Sequence, residues 1–316
     1  MITVVGAGIV GAACARALVR GGAAVRVIDA RAPGTGASAE GMGHVLALDH
    51  DPPTLALSHR SLELWHALAP ALPQSAEWSG AGTLWLARTP DELERAWDEA
   101  EGLRGLGLRV ERLDNDAARA LEPCLSPTLA GALRVADDRV VYPPVVAAWM
   151  LAQARESGAE VTTGVGVRSL EPADQGERVV LDDGRALECE AVVLATGLGT
   201  GALLPADSPL RAAIRPRRGH LIITERLPTA GALSPLARLR HQLVELGYHD
   251  SVATRGATSV AFNLQPRSTG QLLLGSSRQD MDPSLPLAAL KAIDADTLGR
   301  MVARAQPFVP ALGQAR

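Results

Sequence analysis

Gly6, Gly8 and Gly11, in the run Gly6-Ala7-Gly8-Ile9-Val10-Gly11, are spaced to hold a diphosphate, and Asp29 follows eighteen residues after Gly11. Gly6 permits a tight turn from strand to helix, and Gly8 lets the backbone approach a pyrophosphate with no Cβ in the way. Gly11 lets the following helix lie close to a sheet. The free N–H groups and positive dipole end of that helix then face the phosphates. Asp29 offers a carboxylate to both hydroxyls of a ribose, in charge-assisted hydrogen bonds worth roughly 1.5–3 kcal/mol each. The same negative charge disfavours a 2′-phosphate, and with it NADP.

Glycine runs are common in turns, so the flanking elements decide the meaning of this one. Ile2-Thr3-Val4-Val5 reads as a short buried strand, and Ala12 to Arg20 as a helix of small residues ended by Gly21-Gly22. Ala24-Val25-Arg26-Val27-Ile28 reads as a second buried strand that delivers Asp29. A Gly/Ala/Ser-rich loop from Ala32 to His44 comes next, then a predicted helix over about 53–69 with Leu55, Leu62, Trp65 and Leu68 at helical spacing. A strand over 82–87 and an acidic amphipathic helix around 90–105 complete this stretch. Tyr142-Pro143-Pro144 then opens a helix to about Ser157, and Glu160-Val161-Thr162 forms a strand. Residues 165–171 and 177–182 read as neighbouring strands turned by Asp182-Asp183-Gly184, and Ala191-Val192-Val193-Leu194-Ala195 as a buried strand ending in Thr196-Gly197. An NAD-type domain would alternate strand and helix for roughly 150 residues without such an interruption. The nucleotide domain is therefore expected to be split, over 1–50 and 135–205, as in FAD-dependent amine oxidoreductases.

The chain resembles the D-amino-acid oxidase/glycine oxidase/sarcosine oxidase family of FAD enzymes over essentially its whole length. The resemblance rests on the unit from Gly6 to Asp29, the loop Gly36-Ala37-Ser38…Gly41-Met42-Gly43, the pair Gly158-Ala159-Glu160-Val161…Val167, and Val192-Val193-Leu194-Ala195-Thr196-Gly197. It implies that Val167 places its backbone against the adenine and that Ala195, Thr196 and Gly197 lie along the nucleotide. It also implies that Gly41, Met42, Gly43 and His44 pass near the isoalloxazine, with Ala37 and Ser38 in the same cofactor-binding loop. Within the family, Gly219-His220-Leu221, the segment from His241 to Tyr248, Ser259 to Arg267 and Gly270 to Gln279 look like the FAD subunits of heteromeric D-hydroxyproline dehydrogenases.

Flavin chemistry asks the protein to bind, align and supply electrostatics, so no catalytic triad is expected. His44 is a candidate flavin or substrate contact, or an ordinary loop histidine bonded to backbone. Tyr248 and His249 could line an amine pocket or lie in a surface loop. Asn263 and Gln265 share one face of a period-2 strand with Ala261, where they could meet a substrate carboxylate or pair across the sheet. Arg267 and Arg278 are candidates for holding a carboxylate. Arg215-Pro216-Arg217-Arg218 reads as a solvated strand end or a partner contact, and Trp65, Trp85 and Trp149 as packing.

Composition sets bounds. With 47% apolar and 21% charged residues and a net charge of -4, the 316-residue chain has the balance of a globular protein and no electrostatic attraction to nucleic acid. Lys291, on a predicted late helix of about 285–305, is the only lysine, so any Schiff base would have to use it. Cys14, Cys124 and Cys189 are far apart, which excludes a metal or iron–sulfur site built from cysteine pairs. An iron–sulfur cluster in the electron path would have to sit on a heteromeric partner subunit. No run of 18 apolar residues suggests a membrane span, and the N-terminus lacks a basic leader, so a cytoplasmic location is expected.

The expected fold is α/β: a Rossmann-like FAD-binding domain, with an insertion over 51–134 and a substrate domain over 206–316 rich in antiparallel sheet. The expected function is oxidation of a small amino acid or secondary amine, of the D-proline or hydroxyproline type. Hydride would pass from the substrate α-carbon to flavin N5, and electrons on to a partner or dye. The alternatives are a glycine- or sarcosine-type oxidase using O₂, and a catalytically silent flavin-binding subunit or fragment. The resemblance further implies a C-terminal W-x-G-x-R-P segment that supplies a substrate-carboxylate arginine and a glycine-rich T-G-H stretch that closes over the flavin ring; neither motif occurs in this sequence.

Overall fold

Short runs of β-branched residues form a parallel sheet in the order Ala191–Leu194, Ile2–Val5, Val25–Asp29, Glu160–Thr163. Parallel strands are covered on both faces and so read as continuous apolar runs. Accordingly Val4, Val27 and Ile28 are completely buried. The helices Ile9–Arg20 and Pro143–Glu156 pack against each other, which the buried small residues Gly11, Ala12 and Ala15 of the first permit. Arg16 Nε donates to Gln153 Oε1 at 2.6 Å, and its guanidinium lies 5.3 Å from the Trp149 ring centre. The computed structural model describes residues 1–47, 51–248 and 258–314. They divide into two units, the first formed by Met1–Gly43, Leu72–Ala76 and Val141–Arg215, the second by His44–Ala71, Glu77–Val140 and Pro216–Arg316.

The first unit also holds an antiparallel sheet of Val167–Pro172, Glu177–Leu181 and Ala186–Cys189. This corrects one expectation. Asp182-Asp183-Gly184 does not turn the first of these strands into the second; it joins Glu177–Leu181 to Ala186–Cys189, a strand the sequence reading missed. Leu187 and Cys189 are the only apolar inward positions of that strand, too few for alternation to register.

In the second unit eight strands form one sheet. Its path is Arg217–Arg218, Leu272–Asp280, Ser259–Pro266, Gln242–Glu245, Thr83–Ala87, Gly131–Val135, Val110–Asp114, with Ile222–Ile223 also paired to Leu272–Asp280. Gln242–Glu245 and Thr83–Ala87 run parallel; the other pairs are antiparallel. One face is apolar: Leu84, Leu86, Leu243, Phe262, Leu264 and Leu274 share a core with Phe308, whose ring stacks on Phe262 at 4.8 Å. The alternate positions, Thr83, Trp85, Gln242, Asn263 and Gln265, point to the other face and are also buried.

Two predicted helices are each broken. Residues 90–105 form Pro90–Glu99, opened by a Thr89/Glu92 capping box, and Glu101–Gly105. The late helix expected over 285–305 is Leu287–Leu290 followed by Ala295–Ala305, because the Asp294 side chain accepts from the Asp296 and Thr297 N–H groups and restarts it. Lys291 is exposed in the turn between them. The Arg217–Arg218 end is less solvated than expected. Arg217 pairs with Asp280 at 2.8 Å, and Arg218 bonds Gln279 Oε1 at 2.5 Å and the Ala292 carbonyl at 3.1 Å. Among the described residues no helix is long and apolar enough to cross a membrane.

Candidate functional site

The strand Ile2–Val5 ends where Gly6 takes φ +106°, a conformation L side chains rarely adopt. A Cβ there would also strike the Ala195 carbonyl, and one on Gly11 would overlap the Gly6 carbonyl oxygen. These two glycines are thus demanded by the fold of the turn. Gly8 is different. It is the N-cap of the helix, and its nearest neighbour to an added Cβ is Ser38 Oγ at 3.1 Å. The helix start has no capping side chain of its own and no acid in its first turn, and Val10 there is 62% exposed.

Three distant segments meet at this turn. Ser38, in the 3₁₀ turn Gly36–Ser38 with Ala37, accepts from the Ile9 N–H at 3.0 Å. The Ala195 N–H donates to the Val5 carbonyl at 2.8 Å, which sets Thr196 and Gly197 just beyond the glycines. Asp29 accepts from the Ala7 N–H at 2.6 Å and the Arg31 N–H at 2.8 Å, one with each carboxylate oxygen. Sequence spacing aimed this carboxylate at ribose alone; it also ties the strand end to the glycine turn, and each oxygen keeps a further lone pair. Val167 packs in the cluster of Ile28, Val179 and Leu181, at the base of Asp29. Gly41 is exposed, Met42 is half-buried, and the Gly43 carbonyl accepts from Val141 N–H at 2.9 Å. Among the described residues, no hydrogen bond ties these three to the glycine turn.

In the second unit His44 pairs with Val140 in a two-stranded ladder. Its Nε2 is buried without a hydrogen-bond partner, and burial pushes its pKa down to about 4, so the ring is neutral at pH 7. Asn263 and Gln265 are buried, and Asn263 Oδ1 and Gln265 Oε1 find no partner; nor do both amide atoms of the neighbouring Gln242. Arg267 is committed elsewhere: its Nε and Nη2 donate to the two Glu77 oxygens at 2.8 and 2.9 Å. Tyr248 OH accepts from Arg278 Nη2 at 2.7 Å and lies 3.3 Å from Ser276 Oγ. His249 lies outside the described residues.

Sequence reasoning missed Glu77 and Asp138. Glu77 has φ +51° and stands 190 positions from its arginine, so no local pattern signals the pair. Asp138 is fully buried with Oδ1 3.1 Å from the Ala47 N–H. Burial pushes its carboxyl up to about 7, while Thr83, the Ala47 N–H and Trp85 pull the other way. A serine–histidine contact carries no nucleophile. Asp294 N–H donates to His220 Nε2 at 3.1 Å, so Nδ1 holds the proton and donates to Ser277 Oγ at 2.9 Å. Cys124, pushed up to about 12 by burial and Glu122, is no thiolate. No metal-holding cluster occurs among the described residues.

A glycine turn on a parallel sheet, in a chain that also carries a large mixed sheet with one buried polar face, fits an α/β nucleotide-binding oxidoreductase class. The family model for DAO, FAD dependent oxidoreductase, matches residues 1–316, and the chain belongs to that family, with FAD as its cofactor. Hydrogen cyanide synthase subunit HcnC of Pseudomonas aeruginosa is 26% identical over 271 residues, spanning 72% of this chain and 64% of that protein. Glycine oxidase of Geobacillus kaustophilus is 29% identical over 233 residues, spanning 70% of this chain and 60% of that protein. The chain thus spans less than two thirds of the length of either relative. In solved structures, the fold matches glycine oxidase from Geobacillus kaustophilus with TM-score 0.79 at 23% identity, covering 100% of this chain and 79% of that one. It matches L-proline dehydrogenase from P. horikoshii with TM-score 0.80 at 19% identity, covering 99% and 78%. The resemblance to an FAD-dependent family and the α/β expectation both hold.

Proposed function

We propose that this chain holds FAD on its first unit and oxidises a small amino acid or secondary amine, with a proline-type ring favoured. The observation that carries the reading is the glycine turn: a helix start with no side chain at its N-cap and no acids, approached by Gly8, Ser38 and Thr196, suits a diphosphate in shape and charge. In this reading Gly6 and Gly11 hold the turn, and Asp29 accepts from the ribose with its remaining lone pairs. Val167 meets the adenine, and Ala37, Ser38, Gly41, Met42, Gly43, Ala195, Thr196 and Gly197 flank the cofactor. FAD, when bound, accepts a hydride from the carbon beside the substrate nitrogen, leaving an imine. His44, as a neutral ring, and Tyr248 and Asn263 orient the substrate. Arg267 positions, through Glu77, rather than binding. The likeness to glycine oxidase supports an amino-acid or amine substrate.

Electrons are proposed to leave to a dye-type acceptor or to a heteromeric partner carrying an iron–sulfur cluster, since the three cysteines are free, two of them buried. The glycine oxidase relative favours O₂ as the second reading. Purified protein is expected to carry FAD, and Asp29→Ala to weaken it by more than about tenfold. Anaerobic mixing with a panel of D- and L-amino acids, glycine and sarcosine should bleach the flavin. No bleaching with any of them would overturn the reading, and rapid peroxide release in air would select the oxidase.

A further inference from the structure

The strand His44–Val45 does not belong to the large sheet. It forms a separate ladder with Arg139–Val140, two residues on each side. A ladder that short is marginal alone and needs attachment to something larger. Its two sides are attached unequally. The Arg139–Val140 side is fixed to its neighbours. Arg109 donates to the Asp137 carboxylate from its backbone N–H, Nε and Nη2 at 2.8, 3.0 and 2.7 Å. Arg139 Nη1 donates to the Ala136 and Asp138 carbonyls at 2.8 and 2.7 Å, and Val140 exchanges backbone bonds with Ser79. The His44 side has the ladder and, among the described residues, one further hydrogen bond, from Ala47 N–H to Asp138 Oδ1 at 3.1 Å. The His44 ring adds no hold at Nε2, which is buried without a hydrogen-bond partner.

Asp138 also reaches the large sheet. It is fully buried, and Thr83 and Trp85 of the strand Thr83–Ala87 act on its carboxyl as hydrogen-bonding groups. One carboxyl thus joins three segments: its own turn, the sheet, and the chain three residues past His44. A buried backbone N–H left without an acceptor is unfavourable, so the contact holds Ala47 in place. Asp138 and Ala47 stand 91 positions apart, and no local pattern signals the link.

We propose that Asp138 positions His44, fastening the chain at Ala47 while the ladder fastens it at His44 itself. The consequence for turnover rests on the reading above, in which His44 orients the substrate. Asp138 acts through His44, not on the substrate or the cofactor. It acts as a hydrogen-bond acceptor, so a neutral amide of the same shape can replace it.

The test is the histidine ring spectrum of the FAD-loaded protein at pH 7, read as long-range proton–nitrogen correlations. The His44 signals are those missing in His44→Gln. Wild type should show one His44 pattern, that of a neutral ring. Asp138→Ala should shift or split it while the His220 and His241 patterns stay, and Asp138→Asn should restore it. With an amino acid that bleaches the flavin, Asp138→Ala should lower kcat at least about tenfold at unchanged FAD content, as misplacement of an orienting group implies. His44→Gln combined with Asp138→Ala should be no slower than His44→Gln alone, because nothing is then left to position. Should Asp138→Ala not fold, wild type still decides: the Ala47 amide must exchange slowly with deuterium. Unmoved His44 signals in Asp138→Ala, fast Ala47 exchange in wild type, or additive losses in the double variant would overturn the positioning role. His44 signals that move as stated, in protein whose flavin no amino acid bleaches, would instead overturn the oxidation reading and leave the positioning role standing.

Discussion

The two units present polar groups of different kinds. In the first, the groups at the glycine turn are backbone N–H donors, and side chains are mostly absent by design of the spacing: Gly6, Gly8 and Gly11. In the second, the buried face of the large sheet carries side-chain amides and cations, Gln242, Asn263, Gln265 and Arg278, several with an unpaired atom. Backbone donors are placed by φ and ψ of a few neighbouring residues. Buried side-chain donors are placed by strands and ion pairs far apart in the chain. The first arrangement should break by steric intrusion, the second by unbalancing charge.

The sharpest break is Gly11→Val. Its Cβ would overlap the Gly6 carbonyl oxygen, and the helix could not stay beside the turn. Loss of FAD with a cooperative melt of lower temperature, or no soluble protein, is expected; a variant with normal FAD content would refute the close approach.

In the second unit the next effect is one of pH. The Asp138 carboxyl is held near 7, above its ordinary value, so the folded state binds a proton that the unfolded state releases. Its stabilising contribution is full below about 4, declines as pH rises towards 7, and is absent above, at up to about 1.4 kcal/mol per pH unit. His44, held near 4, acts oppositely: stability falls as pH drops from its ordinary value through 4. Asp138→Asn should therefore melt higher than wild type at pH 8 and close to it at pH 4, in parallel thermal scans. Equal differences at both pH values would show that the carboxyl is ionised in the fold.

A smaller effect separates the two arginines. Glu77 and Arg267 have side chains 15% and 18% exposed, so removing one partner strands a half-buried charge. Glu77→Gln should cost about 2–3 kcal/mol in urea denaturation, below the cost of a fully buried pair. Glu77→Gln with Arg267→Met should recover part of it, since no charge is then stranded. If the double variant is as weak as the sum of the singles, the ion pair is not what fixes Arg267.

Much of the first unit was legible because its signals are local. Strand, glycines, helix and acid follow one another within thirty residues, and the parallel strands show as apolar runs. The second unit's strands were also legible where β-branched or alternating, as in Thr83–Ala87 and Ser259–Pro266. What local pattern could not reach was the short strand Ala186–Cys189 and the restart of the late helix at Asp294.

By itself the sequence determined that the protein is an α/β member of an FAD-dependent family, and which glycines and acid build the turn after the first strand. Only the tertiary structure decided which arginine is available. Arg267 and Arg278 are equal as letters, eleven positions apart at opposite ends of one antiparallel strand pair. Glu77, 190 positions from Arg267, neutralises that one and leaves Arg278 to Tyr248. Charge availability depends on every group within a few ångströms, and in this sheet those groups come from segments that the fold, not the local sequence, brings together.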